Sequence, residues 1–371
     1  MPSGANPAVA TVDPETPPGA RSAAIGTGAT KVALVVPLTG PGAGVGAALR
    51  NAAELAYEDF QKPDLTIRVG DDRGGPDGAR AAAQASVAEG AEIVLGPLFA
   101  GNVQAVGGVT RPAGKPVIAF STDAGVAAQG VYLISFLPQT EVDRIVDETV
   151  AGGRRSFAAL IPDTAYGNAV EAALREAVAR RGARLVGLER YPAAGAGPAV
   201  ERLRGVIAGP AAQADALFLP DTPEGLAALA PLLARAGYAA GRVRPIGTAL
   251  WNDPRVLALP AYQGGWFAAP ETAGFNGFAQ RYQVRFGTSP PRVASLGYDA
   301  VALAATLVRQ YGTQRFAAAT LTTPAGFAGL DGLFRFRPDG TSERALAVYE
   351  VKGNAAVVVS PAPRQLGPSG I

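Results

Sequence analysis

The stretch FAALIPDTAYGNAVEAALREAVARRG, residues 157–182, changes its periodicity once, at a proline. Its first five residues, FAALI (157–161), are apolar without alternation, as in a strand buried on both faces of a parallel sheet. Pro162 ends that run, because proline has no N–H to donate to a ladder. Asp163 and Thr164 are residue types that cap helices, and residues 166–182 then read as a helix with a glycine stop. The same ending occurs in ALVVPLTGPG (33–42) and in ALFLPDTPEG (216–225). Each time an apolar strand meets Pro, a threonine follows two residues later, and small residues lead on.

Outward from this unit the alternation of strand and helix continues in both directions. Upstream lie KVALVV (31–36), helix-compatible GAALRNAAELAYEDFQ (46–61), LTIRV (65–69), the helix PDGARAAAQASVAEG (76–90), EIVLG (92–96), PVIAF (116–120) and VYLIS (131–135). Downstream lie RLVGLERY (184–191), a helix at 198–209, DALFL (215–219), a helix at 224–236, VRPIG (243–247) and GGWFA (264–268). Apolar strands divided by helices predict parallel sheets covered on both faces, and two such series predict two α/β lobes. DGLFRFRPDGTSERALAVYEVKGNAAVVV (331–359) alternates around Pro-Asp-Gly and Lys-Gly-Asn turns and predicts antiparallel hairpins.

A length of 371 residues suits about two domains of ordinary size, and a hydrophobic content of 48% supplies both cores. The net charge of +2, with Lys and Arg dispersed, excludes the basic face of a nucleic-acid binder. No apolar run reaches the ~20 residues that cross a bilayer. The chain has no cysteine and no histidine, which removes disulfides, thiolate chemistry, Cys/His zinc sites and histidine triads. No acid–base constellation stands out, so catalysis is expected to be absent and no cofactor or metal is implied. Residues 1–30 lack apolar periodicity and are expected to form a flexible leader, with 361–371 a loose tail. No charged-then-apolar signal segment is present, which fits either a removed secretion signal or a cytoplasmic protein.

In open parallel sheets, ligands bind beyond the carboxyl ends of the strands, where all three repeated endings lie. GAGVGA (42–47) with Asp71 or Asp72 also satisfies a dinucleotide pattern. However, Pro37 to Pro41 separates those glycines from the strand they should follow directly.

Taken together, KVALVVPLTGPGAGVGAALRNAAELA, DDRGGPDGARAAAQASVAEGAEIVLGPLFAGNVQAV, VIAFSTDAG, the AYG turn at 165–167, YDAVALAATLV (298–308) and GLDGLFRFRPDGT carry a resemblance. In order and spacing, from about Lys31 to Val359, the chain resembles type I periplasmic binding proteins of the leucine/isoleucine/valine-binding family. The resemblance implies an α/β fold of two Rossmann-like lobes with parallel sheets joined by three crossovers. On this reading lobe 1 comprises 31–138 and 271–330, and lobe 2 comprises 139–270 and 331–360. It implies a periplasmic receptor that closes on a small polar, amino-acid-like ligand and serves the membrane subunits of an ABC importer.

Carried over residue by residue, the positions that hold a ligand carboxylate fall on Ala100, Ser121, Thr122 and Asp123. The tyrosine of the second-lobe turn falls on Tyr166, and the acid that grips an ammonium falls near Ala249 in GTALWND, where none stands. Asp221 or Asp253 are the expected substitutes, with Trp251 as an apolar wall. Thr39, Phe99 and Asp163 complete the candidate ligand-binding set. FSTD and LWNDP also resemble a sub-branch, the penicillin-binding-protein activator lipoproteins. That branch implies a reduced or empty cleft, a peptidoglycan synthase as partner, and membrane contact only through a lipid anchor absent from this chain.

Overall fold

The computed structural model describes residues 24–238 and 240–367. Its first sheet comprises β1 (Ala24–Ile25), β2 (Thr30–Val36), β3 (Leu65–Asp71), β4 (Ile93–Leu95), β5 (Val117–Ala119) and β6 (Val131–Leu133), in the order β1-β3-β2-β4-β5-β6. β2 to β6 run parallel, and β1 pairs antiparallel with β3. The connecting helices are α1 (Ala43–Asp59), α2 (Pro76–Ala88) and α3 (Ala100–Thr110). Val32, Leu34 and Val36 enter one core while Ala33 and Val35 enter another on the opposite face. A strand clothed on both faces has no solvent side, which is why its sequence does not alternate.

After residues 134–137 the chain crosses into α4 (Pro138–Ala151), β7 (Ser156–Pro162), α5 (Ala165–Arg180), β8 (Arg184–Tyr191), α6 (Gly197–Ile207), β9 (Ala216–Phe218), α7 (Pro223–Arg235), β10 (Arg244–Gly247), α8 (Pro254–Leu257) and β11 (Trp266–Ala269). β7 to β11 form the parallel part of the second sheet. Ala158 and Leu160 face one core there, while Phe157, Ala159 and Ile161 face the other. The chain then returns through α9 (Thr272–Phe286) and α10 (Ala294–Tyr311), which share the first core with α1. A Cβ on Gly297 would stand 2.6 Å from the Leu49 carbonyl oxygen, so α10 meets the α1 backbone directly.

The hairpin region divides between the lobes. β12 (Phe327–Gly329), β13 (Gly332–Phe336) and β14 (Ser342–Arg344) make a separate antiparallel sheet. Phe334 and Phe336 are buried in the first core, the Phe336 ring lies 5.3 Å from that of Tyr132, and the Leu133 N–H donates to the Gly340 carbonyl. Only β15 (Ala347–Lys352) and β16 (Ala355–Ser360) join the second sheet, as antiparallel edge strands beside β11. Residues 331–344, expected in lobe 2, therefore pack on lobe 1, because the aromatic face of β13 needs the Tyr132 side of that core. The third crossing falls next to Leu346.

Most of the expected leader lies outside the described residues. Its last part is tied down: Ala24 and Ile25 pair with Arg68 and Ile67, and the Gly28 N–H donates to the Leu65 carbonyl. Of the expected tail, Ala362 donates its N–H to Glu271, and residues 368–371 lie outside the described residues. Among the described residues no helix is long and apolar enough to cross a membrane.

Candidate functional site

The repeated strand ending has a local purpose in the second lobe. Thr164 Oγ1 accepts from the Gly167 N–H at 3.0 Å, and Thr222 Oγ1 accepts from the Gly225 N–H at 3.2 Å. Each threonine thus satisfies an orphan donor in the first turn of its helix. Close approach requires the glycine at 167, where a Cβ would stand 1.9 Å from the Pro162 carbonyl, whereas at Gly225 a Cβ would meet the Asp221 carboxylate at 2.0 Å. In the first lobe the glycine recurs, since a Cβ on Gly46 would lie 1.7 Å from the Pro37 carbonyl.

Thr39 behaves differently. Its hydroxyl donates to Asp71 Oδ2 at 2.6 Å, while Asp71 Oδ1 accepts the N–H groups of Leu38, Thr39 and Arg73. Burial opposes the Asp71 charge, but the Thr39 hydroxyl and those amides outweigh it and hold the carboxyl below the usual range. The carboxylate that the dinucleotide pattern would offer to a ribose is therefore already engaged, and Asp72 is wholly buried.

The other first-lobe candidates lie on the loops after β4 and β5. Phe99 precedes α3 in extended backbone without a side-chain cap, and its ring lies beneath Gly42, where a Cβ would meet it at 2.7 Å. Ala100 begins α3. Ser121 is buried, with its Oγ accepting from the Asp123 N–H at 3.2 Å. Asp123 caps the following short turn through Gly125, and Thr122 is exposed.

In the second lobe the Tyr166 ring packs half-buried against the core between α5 and the sheet. Its hydroxyl lies 2.8 Å from Oγ1 of Thr248, which is wholly buried after β10. Ala249 donates its N–H to Glu141 Oε2 at 2.9 Å. Glu141 stands in the first turn of α4 and is 8% exposed. Burial pushes its carboxyl up to about 7, against the pull of the Ala249 N–H. Burial and then the Glu141 charge push the Tyr166 hydroxyl well up, so it stays protonated. Asp221 accepts from the Tyr191 hydroxyl at 2.5 Å and from the Thr222 N–H at 2.7 Å.

Several expected positions take other roles. Trp251 is wholly buried, donates its indole N–H to the Leu219 carbonyl, and stacks at an angle on Tyr262 and Phe267. It is a core residue of the second lobe and not the apolar wall expected, because the indole fills the space above Gly247 and Gly265. Asp163 is exposed and paired with Arg190, and Asp253 caps α8 and pairs with Arg255. Tyr166 and Asp221 do belong to one neighbourhood, joined by Glu141, Thr248 and Tyr191, which sequence reasoning did not single out. Among the described residues no hydrogen bond or ion pair links the first-lobe candidates to the second-lobe ones. No acidic group there is arranged to hold a metal ion.

Comparison with known proteins places this architecture. The family model described as periplasmic binding protein matches residues 29–356, and the chain belongs to that family. No curated protein is similar enough to count as a match. Among solved structures, a putative branched-chain amino acid ABC transporter from Rhodospirillum rubrum superposes with a TM-score of 0.78 at 22% identity, covering 89% of this chain and 99% of its own. The branched-chain amino acid transporter substrate-binding protein LivJ from Streptococcus pneumoniae, in complex with isoleucine, gives 0.59 at 18%, covering 90% and 99%. A solute-binding protein of an ABC transporter from Rhodopseudomonas palustris, in complex with 3,4-dihydroxybenzoic acid, gives 0.63 at 20%, covering 91% and 98%. At these identities the likeness establishes the fold, a type I arrangement of two α/β lobes.

Proposed function

We propose that this chain is a periplasmic receptor that closes its two lobes on a small polar, amino-acid-like ligand and presents it to the membrane subunits of an ABC importer. One observation carries the reading: in a chain of this family, both sheets display polar side chains at the carboxyl ends of their parallel strands. Ser121, Thr122 and the N–H groups that follow them would receive a carboxylate, the group shared by isoleucine and 3,4-dihydroxybenzoic acid in the named relatives. Tyr166 would supply a face and an edge from the opposite lobe on closure. The role is binding without catalysis. The matched family and its transporter relatives favour it over a regulatory role in cell-wall synthesis.

The test is a thermal-unfolding panel of L-leucine, L-isoleucine, L-valine, benzoate, 3,4-dihydroxybenzoate, NAD and NADP. A receptor is stabilised by at least one of the small carboxylates, by about 2.7 kcal/mol at a hundred times its Kd. Small-angle scattering with that compound should show a smaller radius of gyration. Stabilisation by NAD or NADP alone would favour the dinucleotide pattern instead.

A further inference from the structure

Among the described residues, the two large sheets end on β1, β6, β8 and β16. Three of these edges are guarded. β6 is covered, with its Val131 and Leu133 N–H groups donating to the Ala128 and Gly340 carbonyls. β1 is only two residues long. β8 carries charges, since Glu189 pairs with Arg202 and Arg190 with Asp163 and Glu171. Cover, shortness and charge each keep an edge strand from pairing with another chain.

β16 has none of the three. From Gly353 to Pro363 the sequence GNAAVVVSPAP carries no charge. Val357, Val358 and Val359 are 43%, 46% and 42% exposed. Val357 stands opposite Glu350 and Val358 opposite Tyr349, so valines project from both faces of the strand. Among the described residues no backbone hydrogen bond reaches 355–360 except those of the ladder with β15, which keeps regular register from Ala355 to Val358. The strand is also fixed in place: Ala356 packs on the second core, and Ser360 Oγ accepts from Arg144 at 2.7 Å. An edge already held in extended form loses little freedom when a further strand joins it.

An incoming strand must offer an extended backbone and must set no charge against the valines. β16 of a second copy offers both, and antiparallel pairing about a twofold axis lays valine against valine with no like charges opposed. We propose that β16 is a self-association edge, at which two copies of this chain pair antiparallel and join their second sheets. The pairing reverses strand direction between the copies, so their candidate sites lie at opposite ends of the joint sheet. The contact is one short strand pair, so the dimer is weak and depends on concentration.

The chain has no cysteine, so a single introduced one reports on this contact alone. The experiment is sedimentation velocity of the full chain between about 1 μM and 1 mM, together with mild oxidation of Val357→Cys and Val358→Cys. Opposed residues of an antiparallel pair have Cα atoms about 4.5–5.5 Å apart, within reach of a disulfide. A dimer should form as concentration rises, and Val357→Lys and Val358→Lys should weaken it by on the order of tenfold. At least one of the two cysteine variants should cross-link to a dimer, a readout that stands even if a lysine variant folds poorly. Val284→Lys and Val284→Cys, at a valine 89% exposed on α9, are the controls and should neither weaken the dimer nor cross-link it. A wild type that stays monomeric throughout would overturn the proposal. So would a dimer that both folded lysine variants keep at full strength, or cross-linking at 357 and 358 no greater than at 284.

Discussion

The hydroxyl of Tyr166 lies 2.8 Å from Oγ1 of Thr248, a wholly buried side chain 82 residues further along the chain. The bond fastens the first turn of α5 to the loop after β10, two elements that share no strand pairing. Tyr166→Phe leaves the Thr248 hydroxyl without its partner and should lower stability by roughly 1–3 kcal/mol in urea unfolding. Tyr166→Ala should in addition weaken any amino acid that binds by roughly 1–3 kcal/mol, through lost contact and an unpaired polar group. Equal affinity in wild type and Tyr166→Ala would remove the ring from the site.

Glu141 makes stability depend on pH with a definite sign. Its carboxyl is raised from an ordinary 4.5 to about 7 in the fold, so the folded chain holds a proton that the unfolded chain has released. That contribution is fully present below about 4.5 and is lost as pH rises through about 7, a change on the order of 3 kcal/mol. Without ligand, Glu141→Gln should match wild type near pH 4.5 and exceed it at pH 8. Urea midpoints that run parallel across this range would show that the carboxylate is solvated after all.

The glycines of the strand-to-helix turns offer a steric test with built-in controls. A Cβ at Gly46 or Gly167 would fall 1.7 or 1.9 Å from a proline carbonyl, whereas at Gly44 and Gly205 nothing lies within 4 Å. Gly46→Ala and Gly167→Ala should each destabilise by roughly 1–3 kcal/mol through forced backbone shifts. Gly44→Ala and Gly205→Ala, inside α1 and α6, should be stabilising by about 0.5–1 kcal/mol from helix propensity. Similar midpoints for all four would refute the close approach.

Arg344 occupies the approach to the third crossing. It is 5% exposed, donates to the Ile134 carbonyl at 2.6 Å in the first crossing, and lies over the rings of Phe136 and Phe334. Asp299 is buried beside it, and desolvation, only partly relieved by the Arg344 charge, raises its carboxyl to about 7. Arg344→Met strands Asp299 in the interior and should cost roughly 3–5 kcal/mol. The double variant Arg344→Met, Asp299→Asn should recover much of that loss. Equal loss in single and double variants would mean that the guanidinium acts by packing alone.

What could be read directly from the residues is what neighbours along the chain decide. Residues 32–36 and 157–161 announced sheets buried on both faces, because a strand with no solvent side has no reason to alternate. Thr164 and Thr222 were legible as caps because the donor each satisfies lies three residues on. The resemblance added the order of crossings, and the superposed solved structures bear out the two-lobed α/β fold. Tertiary structure decided the rest. Residues 331–344 showed their hairpin, but only the meeting of Phe336 with Tyr132 assigned it to the first lobe. From sequence Trp251 reads as a cleft wall, whereas in the fold its indole fills the space above two glycines. Glu141 sat in an ordinary acidic first turn, and its partner Ala249 is 108 residues away. Local spacing encodes caps and faces because those interactions close within a turn. Which acid is left buried without a cation depends on how every neighbouring arginine is spent, and that is settled only when the distant segments pack.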